Sequence, residues 1–270
     1  MSDRERSIGV FDSGIGGLTV MHALMAALPA ERLIYFGDTA RVPYGPKSRD
    51  TVTRFSIENV ELLTRHDVKA IVVACNTATA FALPALRDRF ELPIVGVIEP
   101  GARAAAAATT NRRVGVIGTH GTIGSGAYRE ALTALAPDVT VVSRPCPLFV
   151  ALAEEGWTDH PAARLVAEEY LAPFRIDGVD ALILGCTHYP LLKGVIGETL
   201  GSSVRLIDSA EETAREVGAL LARRDLARRG DPVSEHRFLV SDLPEQFLRV
   251  GQRFLGGRIG GVEVARAGAA

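Results

Sequence analysis

Two short stretches place a thiol where an apolar run turns polar. Residues 70–80 carry Cys75 followed by Asn76 and Thr77, and residues 181–190 carry Cys186 followed by Thr187 and His188. A thiol with a reference pKa of about 8.5 can take or give a proton near neutral pH, whereas a carboxylate at about 4 is a much weaker base. Two thiols facing one carbon from opposite sides can therefore remove a proton on one face and return one on the other. Any single free cysteine is more often a small buried hydrophobe than a reagent, but a matched pair argues for chemistry. Rival chemistries are less well supplied. No Cys-x2-Cys pair occurs and the six histidines are scattered, which argues against a closed zinc site. A cysteine hydrolase built on Cys186 and His188 would leave Cys75 idle. A pyridoxal Schiff base could draw only on Lys47, Lys69 and Lys193, none expected at a strand's carboxyl end. Cofactor-free proton transfer is the better reading, with Asp12 assisting as proton acceptor or orienter and His188 as partner of Cys186.

The elements that must position these groups follow from the apolar pattern. The β-branched run at 71–73 reads as a buried parallel strand, so Cys75 falls at its carboxyl end, where open α/β sheets bind ligands. A first strand at 7–11 runs into Asp12-Ser13-Gly14-Ile15-Gly16-Gly17 and a helix over 18–28, an arrangement whose free N–H groups suit an anion. The dinucleotide fingerprint and the phosphate-binding loop are both incomplete there. A second strand at 33–36 ends in Gly37-Asp38-Thr39 and a proline-rich connection over 42–46. That connection is expected to wall a cleft, with the Tyr44 hydroxyl and the Gly45 amide as contacts. Helices are expected over 48–65 and 79–90, and a strand over 94–98 ending in Glu99-Pro100-Gly101.

From residue 113 the pattern begins again, with Gly118-Thr119-His120-Gly121-Thr122 echoing the first turn. A helix over 128–135, a strand over 139–142, a Pro-Cys-Pro loop around Cys146, a helix over 161–172, the Cys186 strand and a strand over 204–207 follow. Laid on the first half, Cys75 pairs with Cys186 and Glu99 with Asp208, a repeat of about 110 residues and far beyond solenoid periods. The expected fold is α/β: two related doubly wound parallel-sheet domains with pseudo-two-fold symmetry, facing across a central cleft. The first domain takes 1–98 plus 209–270 and carries Cys75; the second takes 99–208 and carries Cys186. A helix over 210–229, stopped by Gly230-Asp231-Pro232, a strand over 236–241 and a helix over 244–255 return to the first domain.

Composition bounds the rest. The 270 residues are 47% hydrophobic, enough for real cores, and the net charge of −2 gives no electrostatic footprint for nucleic acid. Arg223, Arg224, Arg228 and Arg229 read as a solvated helix face. Three cysteines, with no apolar segment suited to a signal peptide or a membrane span, fit a reducing compartment, and a cytoplasmic protein is expected.

Together the motifs Phe11-Asp12-Ser13-Gly14-Ile15-Gly16-Gly17-Leu18, Gly37-Asp38-Thr39, Pro43-Tyr44-Gly45, Cys75-Asn76-Thr77, Glu99-Pro100-Gly101 and Gly185-Cys186-Thr187-His188-Tyr189-Pro190 resemble the glutamate racemases of the aspartate/glutamate racemase superfamily. The resemblance implies interconversion of L- and D-glutamate without a cofactor, supplying D-glutamate for peptidoglycan. It implies that Cys75 acts on the D-enantiomer and Cys186 on the L-enantiomer. It places Asp12, Ser13, Tyr44, Gly45, Asn76, Thr77, Thr187 and His188 at substrate contacts and Glu155 as an acid behind the Cys186 side. Some members carry a longer amino-terminal extension associated with activation by a cell-wall precursor, and that regulation is not expected here. A homodimer is compatible with this reading, and no metal is implied.

Overall fold

The computed structural model describes residues 3–233, 235–257 and 259–268. After a short 3-10 turn (Asp3–Glu5) the chain runs through β1 (Ser7–Asp12), α1 (Leu18–Ala27), β2 (Leu33–Gly37), α2 (Arg49–Thr64), β3 (Val68–Val73), α3 (Asn76–Arg89) and β4 (Ile94–Gly96). It continues through α4 (Ile98–Ala108), β5 (Arg113–Gly118), α5 (His120–Gly124), α6 (Ala127–Leu135), β6 (Thr140–Pro145), α7 (Leu148–Glu155), α8 (Pro161–Ile176) and β7 (Ala181–Gly185). A 3-10 turn (Tyr189–Leu192), α9 (Lys193–Leu200), β8 (Arg205–Asp208), α10 (Ser209–Arg223), β9 (Arg237–Val240), α11 (Pro244–Leu255) and β10 (Glu263–Val264) complete it.

Two parallel sheets result, one ordered β10-β9-β2-β1-β3-β4 and the other β6-β5-β7-β8. Strip β9 and β10 from the first and the two orders are the same, so β3 and β7 are equivalent strands. Both are buried along their whole length, as their near-continuous apolar sequences require of strands covered on two faces. In this order β1 and β3 leave on either side of a topological switch point, as do β5 and β7, and the loops after those strands open a crevice. The fold class expected from the repeat is the one observed.

Several boundaries differ from the sequence expectation. The segment 97–101 does not extend β4. It starts α4, because Pro100 needs no N–H in a first helical turn and the alanine run behind it has the highest helix propensity. Glu99 lies in that first turn, half-exposed and paired with Arg87 at 2.9 Å, while Asp208 caps α10 by accepting from the Ala210 N–H. Helix α3 begins at Asn76 rather than 79, and α7 follows the Cys146 loop where no helix was expected. Helix α10 stops at Arg223, short of the glycine signal, and Asp225 takes a left-handed φ of 54°. The chain there turns so that the Arg228 N–H reaches Glu31 at 2.8 Å and its guanidinium reaches Glu5 and the Ala30 carbonyl. Arg228 is therefore part of a buried-side clasp and not of a solvated helix face. Among the described residues no helix is long and apolar enough to cross a membrane.

Candidate active site

Cys75 follows β3 by two residues and caps α3, its Sγ accepting from the Ala78 N–H at 3.4 Å. A capping position has extended backbone with the side chain folded over the first turn, so the strand end aims the thiol at the crevice. Only 6% of Cys75 is exposed. Burial, and then the neighbouring Asp12 carboxylate, push the thiol up to about 12, against the pull of the Ala78 N–H and the Ser13 side chain. Asp12 ends β1, the strand beside β3, and Phe11 pairs with Val73 across that register. One Asp12 oxygen accepts from the Gly14 N–H at 2.9 Å; the other is buried without a partner. Burial raises the Asp12 pKa above its usual value, opposed by the charge on His188 and by the N–H groups of its own turn.

Asn76 and Thr77 form the first turn of α3 and reach across to the second sheet's helices. The Asn76 Oδ1 accepts from the Tyr128 hydroxyl at 2.7 Å, and the Thr77 Oγ1 lies 2.8 Å from that of Thr119 and 3.1 Å from that of Thr122. The Gly121 N–H donates to the Gly45 carbonyl at 2.9 Å, so the loop after β2 is tied to the same seam.

On the other side Cys186 directly follows β7 and is likewise 6% exposed. The His188 Nδ1 lies 3.7 Å from its Sγ, and the His188 Nε2 lies 2.9 Å from the Glu154 Oε1. Burial works against an imidazolium here, but Cys186 and Glu154 outweigh it and hold His188 up to about 10. The ring of Phe254 from α11 packs edge-on against His188 at 5.2 Å between centroids. The acid expected at Glu155 is thus its neighbour. Glu154 faces the imidazole from the penultimate residue of α7, and Glu155 at the helix end points to solvent.

Gly16 is needed where the two sides meet. A Cβ built there would stand 2.3 Å from the Thr187 Oγ1 and 2.5 Å from the His188 ring, distances that no side chain tolerates. The Thr19 hydroxyl donates to the Thr187 carbonyl at 2.9 Å, closing the same contact. The glycine-rich turn after β1 therefore serves as a seat for the Cys186 loop. No phosphate-type site is required to explain it.

A cavity of ≈390 Å³ lies between these parts. Of the residues expected at the site, Ser13, Tyr44, Gly45, Cys75, Asn76, Thr77, Cys186, Thr187 and His188 line it, while Asp12 sits buried behind them. The Tyr44 hydroxyl is not offered to the cavity. It donates to Asp38 and accepts from the Asn59 Nδ2 at 3.0 Å, so only the rest of Tyr44 forms the wall. Thr119, His120, Pro147, Val150, Ala151 and Glu154 also line the cavity and were not expected from the sequence. Thr119 was within reach, because the repeat sets it opposite Ser13 at the end of β5. Val150 and Ala151 of α7 gave no such signal, while Glu154 is the neighbour of the acid expected at Glu155. Among the described residues no group of three or more His, Cys, Asp or Glu side chains could hold a metal ion.

The chemistry available is asymmetric. One thiol is held as the neutral acid beside a buried carboxyl; the other faces an imidazolium braced by a carboxylate. A molecule held in the cavity has a thiol on either side, one beside the Asp12 carboxyl and one beside His188.

Comparison with known proteins bears on what that molecule is. The family model described as Asp/Glu/hydantoin racemase matches residues 8–217. A glutamate racemase of Geobacter metallireducens is 59% identical over 257 residues, covering 95% of each chain. The crystal structure of a glutamate racemase isoform from Bacillus anthracis superposes with a TM-score of 0.93 at 41% identity, covering 97% of this chain and 98% of the other. A glutamate racemase from Francisella tularensis, solved in complex with D-glutamate, gives a TM-score of 0.91 at 41% identity over the same shares.

Proposed function

Because this chain belongs to the Asp/Glu/hydantoin racemase family, we propose that it is a glutamate racemase working by two-thiol proton transfer without a cofactor. The observation that carries this reading is the placement of Cys75 and Cys186 after equivalent strands of two like-ordered sheets, both lining one cavity. From L-glutamate, Cys186 as thiolate takes the α-proton while Cys75 as thiol delivers its own to the opposite face, leaving D-glutamate. The reverse reaction exchanges the roles. The protonated His188 next to Cys186 and the neutral thiol at Cys75 set the free site in the form that accepts L-glutamate. The partnerless oxygen of Asp12 is available to take the ammonium group of the substrate or the proton of Cys75. Asn76, Thr77 and Thr187 supply neutral donors for its carboxylates.

Solved structures of aspartate racemase type share only the fold, at 18% and 20% identity, whereas the relatives at 48–59% identity carry the glutamate racemase name. Two domains meeting at this cavity, with limits at 1–98 plus 209–270 and 99–208, fit the membership of the two sheets. A cytoplasmic location and a role in making D-glutamate for peptidoglycan accord with the same reading.

Circular dichroism of pure L- and pure D-glutamate, with no added cofactor, tests it. Both signals are expected to decay to zero. Cys75→Ser and Cys186→Ser are each expected to slow the decay by about 10²–10⁴-fold, the span for loss of a general acid or base. Cys146→Ser, a buried thiol outside the cavity, should leave the decay nearly unchanged. A folded protein that leaves both enantiomers untouched, or a fully active Cys75→Ser or Cys186→Ser enzyme, ends the proposal.

A further inference from the structure

Tyr128 belongs to no motif of the sequence reading, yet it touches both thiol-bearing turns. It lies on α6, on the second sheet's side, and is 3% exposed. Its hydroxyl donates to the Oδ1 of Asn76, the residue after Cys75. Its ring backs Gly185, the residue before Cys186: a Cβ at Gly185 would stand 3.0 Å from the Tyr128 Cε2. One aromatic side chain therefore spans the distance between the two strand ends, and glycine at 185 leaves it room.

The second observation is an orphan. The Nδ2 of Asn76 is buried and has no partner, although the residue lines the cavity. A buried amide donor without a partner is costly, and in a native site it calls for a missing ligand. We propose that Tyr128 is a positioning residue, which takes up the Asn76 carbonyl oxygen so that the NH2 group is the half of the amide left unpaired beside the cavity to meet a substrate carboxylate. The inference rests on the racemase reading for the identity of that carboxylate. Were the amide reversed, its carbonyl oxygen would face the substrate and repel it. A tyrosine suits the task because burial holds its phenol above the usual pKa, so the hydroxyl remains a donor at working pH. Phenylalanine would fill the same space and fix nothing.

Full-length Tyr128→Phe, Asn76→Ala and the double variant, each compared with the wild type for KM and kcat in both directions, form the test. Tyr128→Phe should raise KM for both enantiomers about tenfold, with kcat changed by less than about threefold, as expected for loss of one hydrogen bond that orders the ground state. In the Asn76→Ala background the same substitution should add nothing. An unchanged KM in Tyr128→Phe, even with a lower melting temperature, overturns the proposal, because the role would then be packing alone. A KM rise of equal size in both backgrounds overturns it too, since Tyr128 would not be acting through Asn76. Wild-type protein that fails to interconvert glutamate would defeat the racemase reading separately. The same four proteins titrated calorimetrically with glutamate would then decide the role of Tyr128, equal affinities of wild type and Tyr128→Phe overturning it.

Discussion

The chain Glu154–His188–Cys186 is the feature of the site with the clearest electrostatic consequence. His188 is buried, which by itself favours the neutral ring, yet it keeps its proton because Cys186 and Glu154 flank its two nitrogens. A folded-state pKa raised from 6.5 to about 10 contributes stability that is fully present below about 6.5 and is lost as pH rises through about 10. Glu154→Gln removes one of the two groups holding that proton up. The alkaline limb of the racemisation rate should therefore move to lower pH, and the loss of melting temperature relative to wild type should be larger at pH 6 than at pH 10. An alkaline limb that stays in place would show that Glu154 does not act through His188. The sequence pointed one residue too far, to Glu155. Two adjacent glutamates at the end of a helix look alike on paper, and only the turn of α7 decides which one faces the imidazole.

At the scale of elements, the site depends on how closely one loop seats on another. The turn after β1 meets the Cys186 loop at Gly16, and the wall over 42–46 is held from behind by Asp38, which binds Arg41 at 2.7 Å, Ser241 at 3.1 Å and the Tyr44 hydroxyl. Gly16→Ala must displace Thr187 and His188. It should lower kcat/KM by about 10²-fold, the cost of misplacing a reacting group by about 1 Å. Its cost in urea unfolding should be only about 1–3 kcal/mol, the range for overpacking. Full activity with the alanine would mean that the Cys186 loop has slack the geometry does not show. Gly16 was legible as a turn glycine but not as a seat, because its contact partner lies on the other half of the chain. Helix α4 was missed for a local reason: Glu99-Pro100-Gly101 reads as a turn when the alanines behind it are not weighed.

For the molecule as a whole, the two halves are joined by α10, which packs on α1 and α4. The chain just past α10 is tied to β3 beside a buried ion pair. The Lys69 Nζ lies 2.5 Å from the Glu31 Oε2 and also donates to the carbonyls of Arg4 and Leu226 at 2.7 and 2.8 Å. Breaking a buried pair from one side strands the other charge. Lys69→Met should cost about 3–5 kcal/mol in chemical denaturation while leaving KM and kcat of the folded enzyme close to wild type. A small cost would show that water reaches the pair, and lost activity would show that the anchor sets the cavity as well. Glutamate enantiomers have equal free energy in water, so no arrangement of this anchor or of the thiols can bias the equilibrium. Net flow toward D-glutamate has to come from its consumption.

The sequence by itself determined the repeat, the two thiols and the polar residues beside them. Those are local properties: an apolar run ending in Cys-Asn-Thr or Cys-Thr-His carries its chemistry and its place at a strand end in contiguous residues. It determined most strands for the same reason, since a buried parallel strand is an uninterrupted apolar run. What only the tertiary structure decided are pairings between distant parts of the chain, Glu154 with His188, Tyr128 with Asn76 and Gly185, and Gly16 with Thr187, together with a local one, the turning of the Tyr44 hydroxyl away from the cavity toward Asp38. Gly16 with Thr187 and Tyr128 with Asn76 depend on the relative placement of the two sheets, the others on how helices and loops pack within one half, and neither is given by a spacing rule.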